Sequence, residues 1–293
     1  MITPFGDDDR IDAEALANEA VFLKNCRVNG IVVAGSMGEG AGMSPDEVGM
    51  AVHAVVEAVD GSIPVLAGII ADTSREAVRL SVSARSAGAS GLQVPPPNFA
   101  PSTDVRVLSA YYRSIAEASG LPLIIYNVIP WAQVAVESLH QLVSEIRGIT
   151  GVKQSGRNIH ALSALLAFFR GKLRVYSAID DMVFPSFVLG ADGTISGTAC
   201  VFPAETVQMR EAVENGDYAT AREIHERLSP VWREIDHPDF PSRAKYAVSL
   251  TGRPAGRPRL PLQWPNGDAA ASIEQALIRG GLRAGALSER GIA

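Results

Sequence analysis

Short apolar runs rich in valine and isoleucine recur along the chain at residues 30–34, 63–69, 91–94, 122–126, 149–153, 173–176 and 193–196, with helical apolar patterns between them. A brief continuous apolar run suits a strand buried on both faces, and a longer stretch with an apolar stripe suits a helix lying on such a strand. The run ends Val94, Tyr126, Lys153 and Tyr176 stand 32, 27 and 23 residues apart. That spacing leaves one crossover helix per strand and predicts a parallel sheet. A closed barrel and a doubly wound open sheet both meet the pattern. Ser44-Pro45-Asp46-Glu47 and Thr73-Ser74-Arg75-Glu76 read as capping boxes, in which the hydroxyl and the glutamate satisfy early helix amides. After about Asn215 the strand signal stops. Helical patterns at 218–235, 242–250 and 269–282 predict a helical C-terminal region, 216–293, behind a strand-and-helix unit at 1–215. The prolines of residues 252–261 forbid a helix there, and the arginines among them are expected in a solvated loop.

Composition narrows the class. At 293 residues, with 47% hydrophobic and 20% charged residues, the chain can bury a sizeable core and is unlike a disordered one. A net charge of -6 argues against a nucleic-acid partner. No run approaches the roughly 20 apolar residues of a membrane span. The start, Met1-Ile2-Thr3-Pro4-Phe5 followed by three aspartates, lacks the order of a signal peptide, so a cytoplasmic protein is expected. Cys26 and Cys200 are too few and too isolated for a disulfide framework or a cysteine metal site and are expected in packing. The five histidines show no metal-ligand spacing, so no metal is expected.

Two polar residues end consecutive apolar runs: Tyr126 and Lys153. A lysine closing a buried strand is costly to keep charged, which frees its amine to attack a carbonyl. In parallel barrels catalytic groups sit at the C-terminal strand ends, and neighbouring strands lie about 4.8 Å apart, so the tyrosine can move protons for the lysine. Alternation places Gly151 on the same face as Lys153, leaving room there for a substrate. The glycine turn Gly35-Ser36-Met37-Gly38-Glu39-Gly40 follows the apolar run at 30–34, and its amides can receive a carboxylate. It matches neither a phosphate loop nor a dinucleotide fingerprint.

Taken in order, Thr3-Pro4-Phe5, Gly35-Ser36-Met37-Gly38-Glu39, Tyr126-Asn127-Val128, Gly151-Val152-Lys153, the segment at 177–181 and the segment at 190–196 resemble the motifs of the dihydrodipicolinate synthase and N-acetylneuraminate lyase family of class I aldolases. The resemblance spans nearly the whole chain. It implies a (β/α)8 TIM barrel with a C-terminal helical appendage, assembled as a homo-oligomer, dimer or tetramer. Lys153 would form an imine with pyruvate or a related 2-oxo acid, without a cofactor. Tyr126 would shuttle protons and Ser36 would continue the relay. Ser36 and Met37 amides would hold the carboxylate, with Met37, Gly38, Thr194, Ile195 and Trp131 as substrate-binding residues. Lys245 matches a family lysine for which a structural role is expected.

The departures from the pattern bear on the substrate. A second hydroxyl usual in the glycine turn is Met37, no arginine follows the Tyr126 motif, and the family's tandem tyrosine segment reads Val94-Pro95-Pro96-Pro97-Asn98-Phe99. Trp131 and Phe99 would make the distal pocket more apolar. Met1-Ile2 leaves almost none of the family's first strand, so either a shortened strand or a misplaced start is expected. Asp180 and Asp181 precede an apolar helix and read as its cap. The expected function is a Schiff-base aldolase or dehydratase acting on a 2-oxo acid. Condensation of pyruvate with aspartate semialdehyde, as in 4-hydroxy-tetrahydrodipicolinate synthase, and a non-catalytic 2-oxo-acid-binding barrel are the alternatives.

Overall fold

The computed structural model describes residues 1–99 and 104–282; the end of the predicted helical region, 283–293, lies outside the described residues. Seven strands, β1 (Ile31–Val33), β2 (Val65–Gly68), β3 (Gly91–Val94), β4 (Leu123–Asn127), β5 (Ile149–Gln154), β6 (Arg174–Ser177) and β7 (Gly193–Thr194), pair in parallel in chain order. A doubly wound sheet reverses its strand order at a switch point, and this one never does. The repeated strand, helix, strand step therefore curls in one sense into a TIM-barrel-like (β/α)8 fold. Met1 and Thr3 run beside β1: the amino group of Met1 donates to the Val32 carbonyl at 2.9 Å, and Thr3 Oγ1 donates to the Gly38 carbonyl at 2.8 Å.

Each strand became an apolar run because helices cover its outer face. Val33, Ala67, Leu92, Ile125, Val152 and Val175 pack there against Val52, Leu80, Ile115 and Leu165. The helix starts hold the loops above the strands. Ser44 forms the full box, with Ser44 N donating to Glu47 Oε2 at 2.9 Å and Glu47 N donating to Ser44 Oγ at 3.3 Å. Thr73 forms only half of one: its hydroxyl accepts from Glu76 N, but the Glu76 carboxylate turns outward to Arg79 at 3.0 Å. A guanidinium three residues on outcompetes a backbone amide for that carboxylate.

The C-terminal helices Tyr218–Ile235, Phe240–Leu250 and Gly267–Arg279 share a second apolar cluster with Phe202, Met209 and Met37. Two buried ion pairs tie this cluster to the barrel, Lys245 with Glu39 and Arg253 with Glu19 at 2.8 Å. The second corrects the expectation of a solvated arginine loop. Arg253 is buried and also donates to the carbonyls of Cys200 and Val201, and Arg259 reaches Glu47 and the Asp9 carbonyl. The prolines keep this segment extended, so Arg253 and Arg259 reach different elements and donate to their carbonyls, while Arg257 stays exposed beside Asp7 as expected of a solvated loop. Among the described residues no helix is long and apolar enough to cross a membrane.

Candidate active site

β4 and β5 pair so that Tyr126 lies directly opposite Lys153, and β5 and β6 pair so that Lys153 lies opposite Tyr176. Partners in a parallel register point to the same face, so all three side chains enter the barrel in one layer. Lys153 Nζ stands 3.6 Å from the centroid of the Tyr126 ring, and both residues are 7% exposed. The ring face attracts the amine when it is protonated and fixes its position. The two residues paired on sequence grounds therefore meet in space. They open onto a cavity of about 500 Å³ that is also lined by Ser36, Met37, Thr194 and Ile195 and continues down the barrel to Gly30 and Pro64.

The glycine turn is closed by its own amides: Gly38 N and Gly40 N donate to the Gly35 carbonyl and Glu39 N to the Ser36 carbonyl, at 3.0 to 3.2 Å. Ala34 and Glu39 take left-handed conformations (φ 54° and 58°), and no side chain fits at Gly40 against the Ala34 carbonyl. The turn bonds thus consume the amides of Gly38, Glu39 and Gly40, and those of Ser36 and Met37 stand outside that set. Gly38 departs from its expected binding role, since its amide and carbonyl are both engaged and it lies off the cavity wall. The Met37 side chain packs toward Gly197 and Trp232 of the C-terminal cluster, so only part of it faces the cavity. Glu39, at the end of the turn, is the residue held by Lys245, which gives that lysine the structural place expected of it.

Other expectations need revision. Gly151 leaves no vacancy, because a Cβ there would meet the Tyr176 ring at 3.3 Å and Ile124 at 3.4 Å. Trp131 does not line the cavity. It is 66% exposed, outside the rim, and its indole N–H donates to the Asn98 carbonyl at 3.3 Å. Phe99 is likewise exposed. Thr194 lines the cavity while its hydroxyl donates to the Ser177 carbonyl, which also takes the Ile195 amide. Asp180 caps no helix that follows it directly. Its Oδ1 accepts from Thr198 N at 2.7 Å and Thr198 Oγ1 at 3.0 Å, at the start of the helix Gly197–Val201. Burial pushes its carboxyl up to about 6, against the Thr198 bonds and the nearby charge of Lys153.

Four further polar residues of the site escaped the sequence reading. Asn127 is buried and clamps the loop beyond β4, accepting from Val134 N and donating to the Val134 carbonyl and Gln154 Oε1. A Tyr-Asn pair closing a strand was the available signal. Gln93, on the inward face opposite Ile124, is buried on the cavity wall, and its Oε1 has no partner among the described residues. Arg157 and Asp236 meet at the cavity mouth with Arg157 Nη2 donating to Asp236 Oδ2 at 2.6 Å. Nothing in local spacing joins residues 79 positions apart.

A model of the dihydrodipicolinate synthetase family matches residues 1–278. The 4-hydroxy-tetrahydrodipicolinate synthase of Methanopyrus kandleri is 33% identical over 287 residues, covering 96% of this chain and 95% of that protein. Dihydrodipicolinate synthase from Aquifex aeolicus has a crystal structure that superposes with a TM-score of 0.90 at 28% identity, covering 97% of both chains. A prophage protein of the dihydrodipicolinic acid synthase family from E. coli K12, solved in complex with pyruvate, superposes with a TM-score of 0.91 at 25% identity, covering 96% of both.

Proposed function

Because the chain belongs to the dihydrodipicolinate synthetase family, we propose that it is a Schiff-base lyase whose Lys153 forms an imine with pyruvate or a related 2-oxo acid. The observation that carries this reading is the approach of Lys153 Nζ to the Tyr126 ring, 3.6 Å from its centroid, at the C-terminal ends of adjacent strands. The free amine adds to the ketone carbon to give a carbinolamine. Proton transfer through the Tyr126 hydroxyl lets the former carbonyl oxygen leave as water. The cationic imine then draws electrons from the neighbouring carbon, which loses a proton to become an enamine. That enamine attacks an aldehyde carbon, or expels a hydroxide two carbons from the imine as water. Hydrolysis returns the amine. No step asks for a bound cofactor.

The amides of Ser36 and Met37 receive the carboxylate of the 2-oxo acid, and the Ser36 hydroxyl passes protons on from Tyr126. Thr194 and Ile195 form the wall beside it. The names of the relatives support a second reading for the partner substrate, condensation with aspartate semialdehyde. We place the enzyme in the cytoplasm as a dimer or tetramer, which sedimentation velocity tests. The barrel unit 1–215 and the helical region 216–293 belong to the same reading.

The test is exchange at the methyl group of pyruvate. In deuterium oxide the enzyme should replace the methyl protons without any second substrate, and Lys153→Ala should show none of this. Methyl signals that persist with the wild-type protein would overturn the reading.

A further inference from the structure

The loop beyond β5 packs on the loop beyond β4 and carries an arginine, Arg157. After Gln154 the chain reverses through Gly156 (φ 88°) and Arg157 (φ 56°), two consecutive left-handed residues. Glycine adopts that conformation freely, whereas an arginine does so only where its surroundings impose it. Gly156 itself packs on the β4 loop, where a Cβ would run into the Gln133 carboxamide. Arg157, the next residue, lies on the wall of the cavity that holds Lys153 and Tyr126, with Val128 and Pro130 of the β4 loop also lining it.

Among the described residues the guanidinium holds Asp236 and keeps further donors in reserve. Its side chain is 72% exposed, and of its five N–H donors Nη2 serves Asp236 at 2.6 Å. Asp236 closes the helix Tyr218–Ile235 and lies on the same wall. An ion pair this exposed holds its partners weakly, and a guanidinium binds any carboxylate presented to its fork. An incoming carboxylate can take the place of Asp236 without leaving a buried charge behind.

We propose that Arg157 is a specificity-determining residue that receives a carboxylate at the far end of the substrate chain, in exchange for Asp236. The enzyme then selects 2-oxo acids, and the aldehydes that build them, with an anionic tail. This rests on the imine chemistry proposed for Lys153.

The test uses matched pairs of 2-oxo acids that differ only at the tail: 2-oxoglutarate against 2-oxopentanoate, 2-oxoadipate against 2-oxohexanoate, and 2-oxopimelate against 2-oxoheptanoate. Each is titrated as the imine trapped by borohydride, and the readout is the ratio of apparent Kd within a pair, so a general loss of imine formation cancels. For at least one chain length the wild type should favour the dicarboxylate by about tenfold, the gain of one charge-assisted contact. Arg157→Gln should bring that ratio to near one, and Asp236→Asn, which frees the guanidinium, should raise it. Absence of preference at every length, a preference that survives Arg157→Gln, or one that Asp236→Asn leaves unchanged or lowers would overturn the proposal. Pyruvate is the control: if wild-type Lys153 traps pyruvate without tail preference, only the role of Arg157 fails, and if it traps no pyruvate the imine chemistry fails with it.

Discussion

Replacing Lys245 by methionine tests how the glycine turn is anchored to the C-terminal region. Lys245 is fully buried, and its Nζ donates to Glu39 Oε1 and, at 2.8 Å, to the Arg257 carbonyl. Burial holds its amine below the ordinary lysine value, and the charge and hydrogen bond of Glu39 work in the opposite direction. Methionine fills most of the same volume but leaves the Glu39 carboxylate buried with one remaining bond among the described residues, from Arg259 N at 2.9 Å. Breaking a buried pair by removing one partner costs about 3–5 kcal/mol, because the other charge stays desolvated. Neutralising both, in Glu39→Gln with Lys245→Met, should bring stability back to within about 1–2 kcal/mol of wild type. Urea unfolding followed by circular dichroism measures each term of the cycle. Since Glu39 ends the turn that presents the Ser36 and Met37 amides, the single variant should also bind pyruvate more weakly. A single variant within about 1 kcal/mol of wild type, or a double variant no more stable than the single, would refute this account of the junction.

Other expectations follow from the same geometry. Tyr126→Phe should slow pyruvate methyl exchange by about 10²- to 10⁴-fold, the usual worth of a positioned acid or base, while imine trapping persists; normal exchange would remove Tyr126 from the mechanism. Asp180 titrates at about 6 when folded, above the ordinary carboxylate value, so stability should fall as pH rises between about 4 and about 6. Asp180→Asn should flatten that part of the curve, and an unchanged slope in thermal melts across that range would discard the effect. Trp131→Ala should leave pyruvate affinity within about twofold, as for a surface change outside the cavity; a tenfold loss in a titration would return Trp131 to the pocket.

The strands were legible because helices on one face and the barrel interior on the other make each a continuous apolar run. A lysine and a tyrosine at the ends of two such runs stand out for the same reason. Closure of the sheet was not legible from the runs alone, since barrel and open sheet share the strand-helix period, and it took the ordered motifs of a family to decide. The half-formed box at Thr73 shows a local rule yielding to a local competitor, Arg79. Misread positions depend on partners distant in sequence. Arg253 is buried because Glu19 waits 234 residues away, Gly151 is filled by a ring from β6, and Trp131 is held outside the rim by the carbonyl of Asn98. Asp180 serves a helix that begins 17 residues later and belongs to a different loop.

Intact-mass spectrometry after incubation with pyruvate and borohydride, beside Lys153→Ala, tests the central claim most directly. The account predicts one reduced adduct that peptide mapping assigns to Lys153 and that the alanine variant lacks. An adduct at another lysine, or an unmodified wild-type protein at saturating pyruvate, would contradict it.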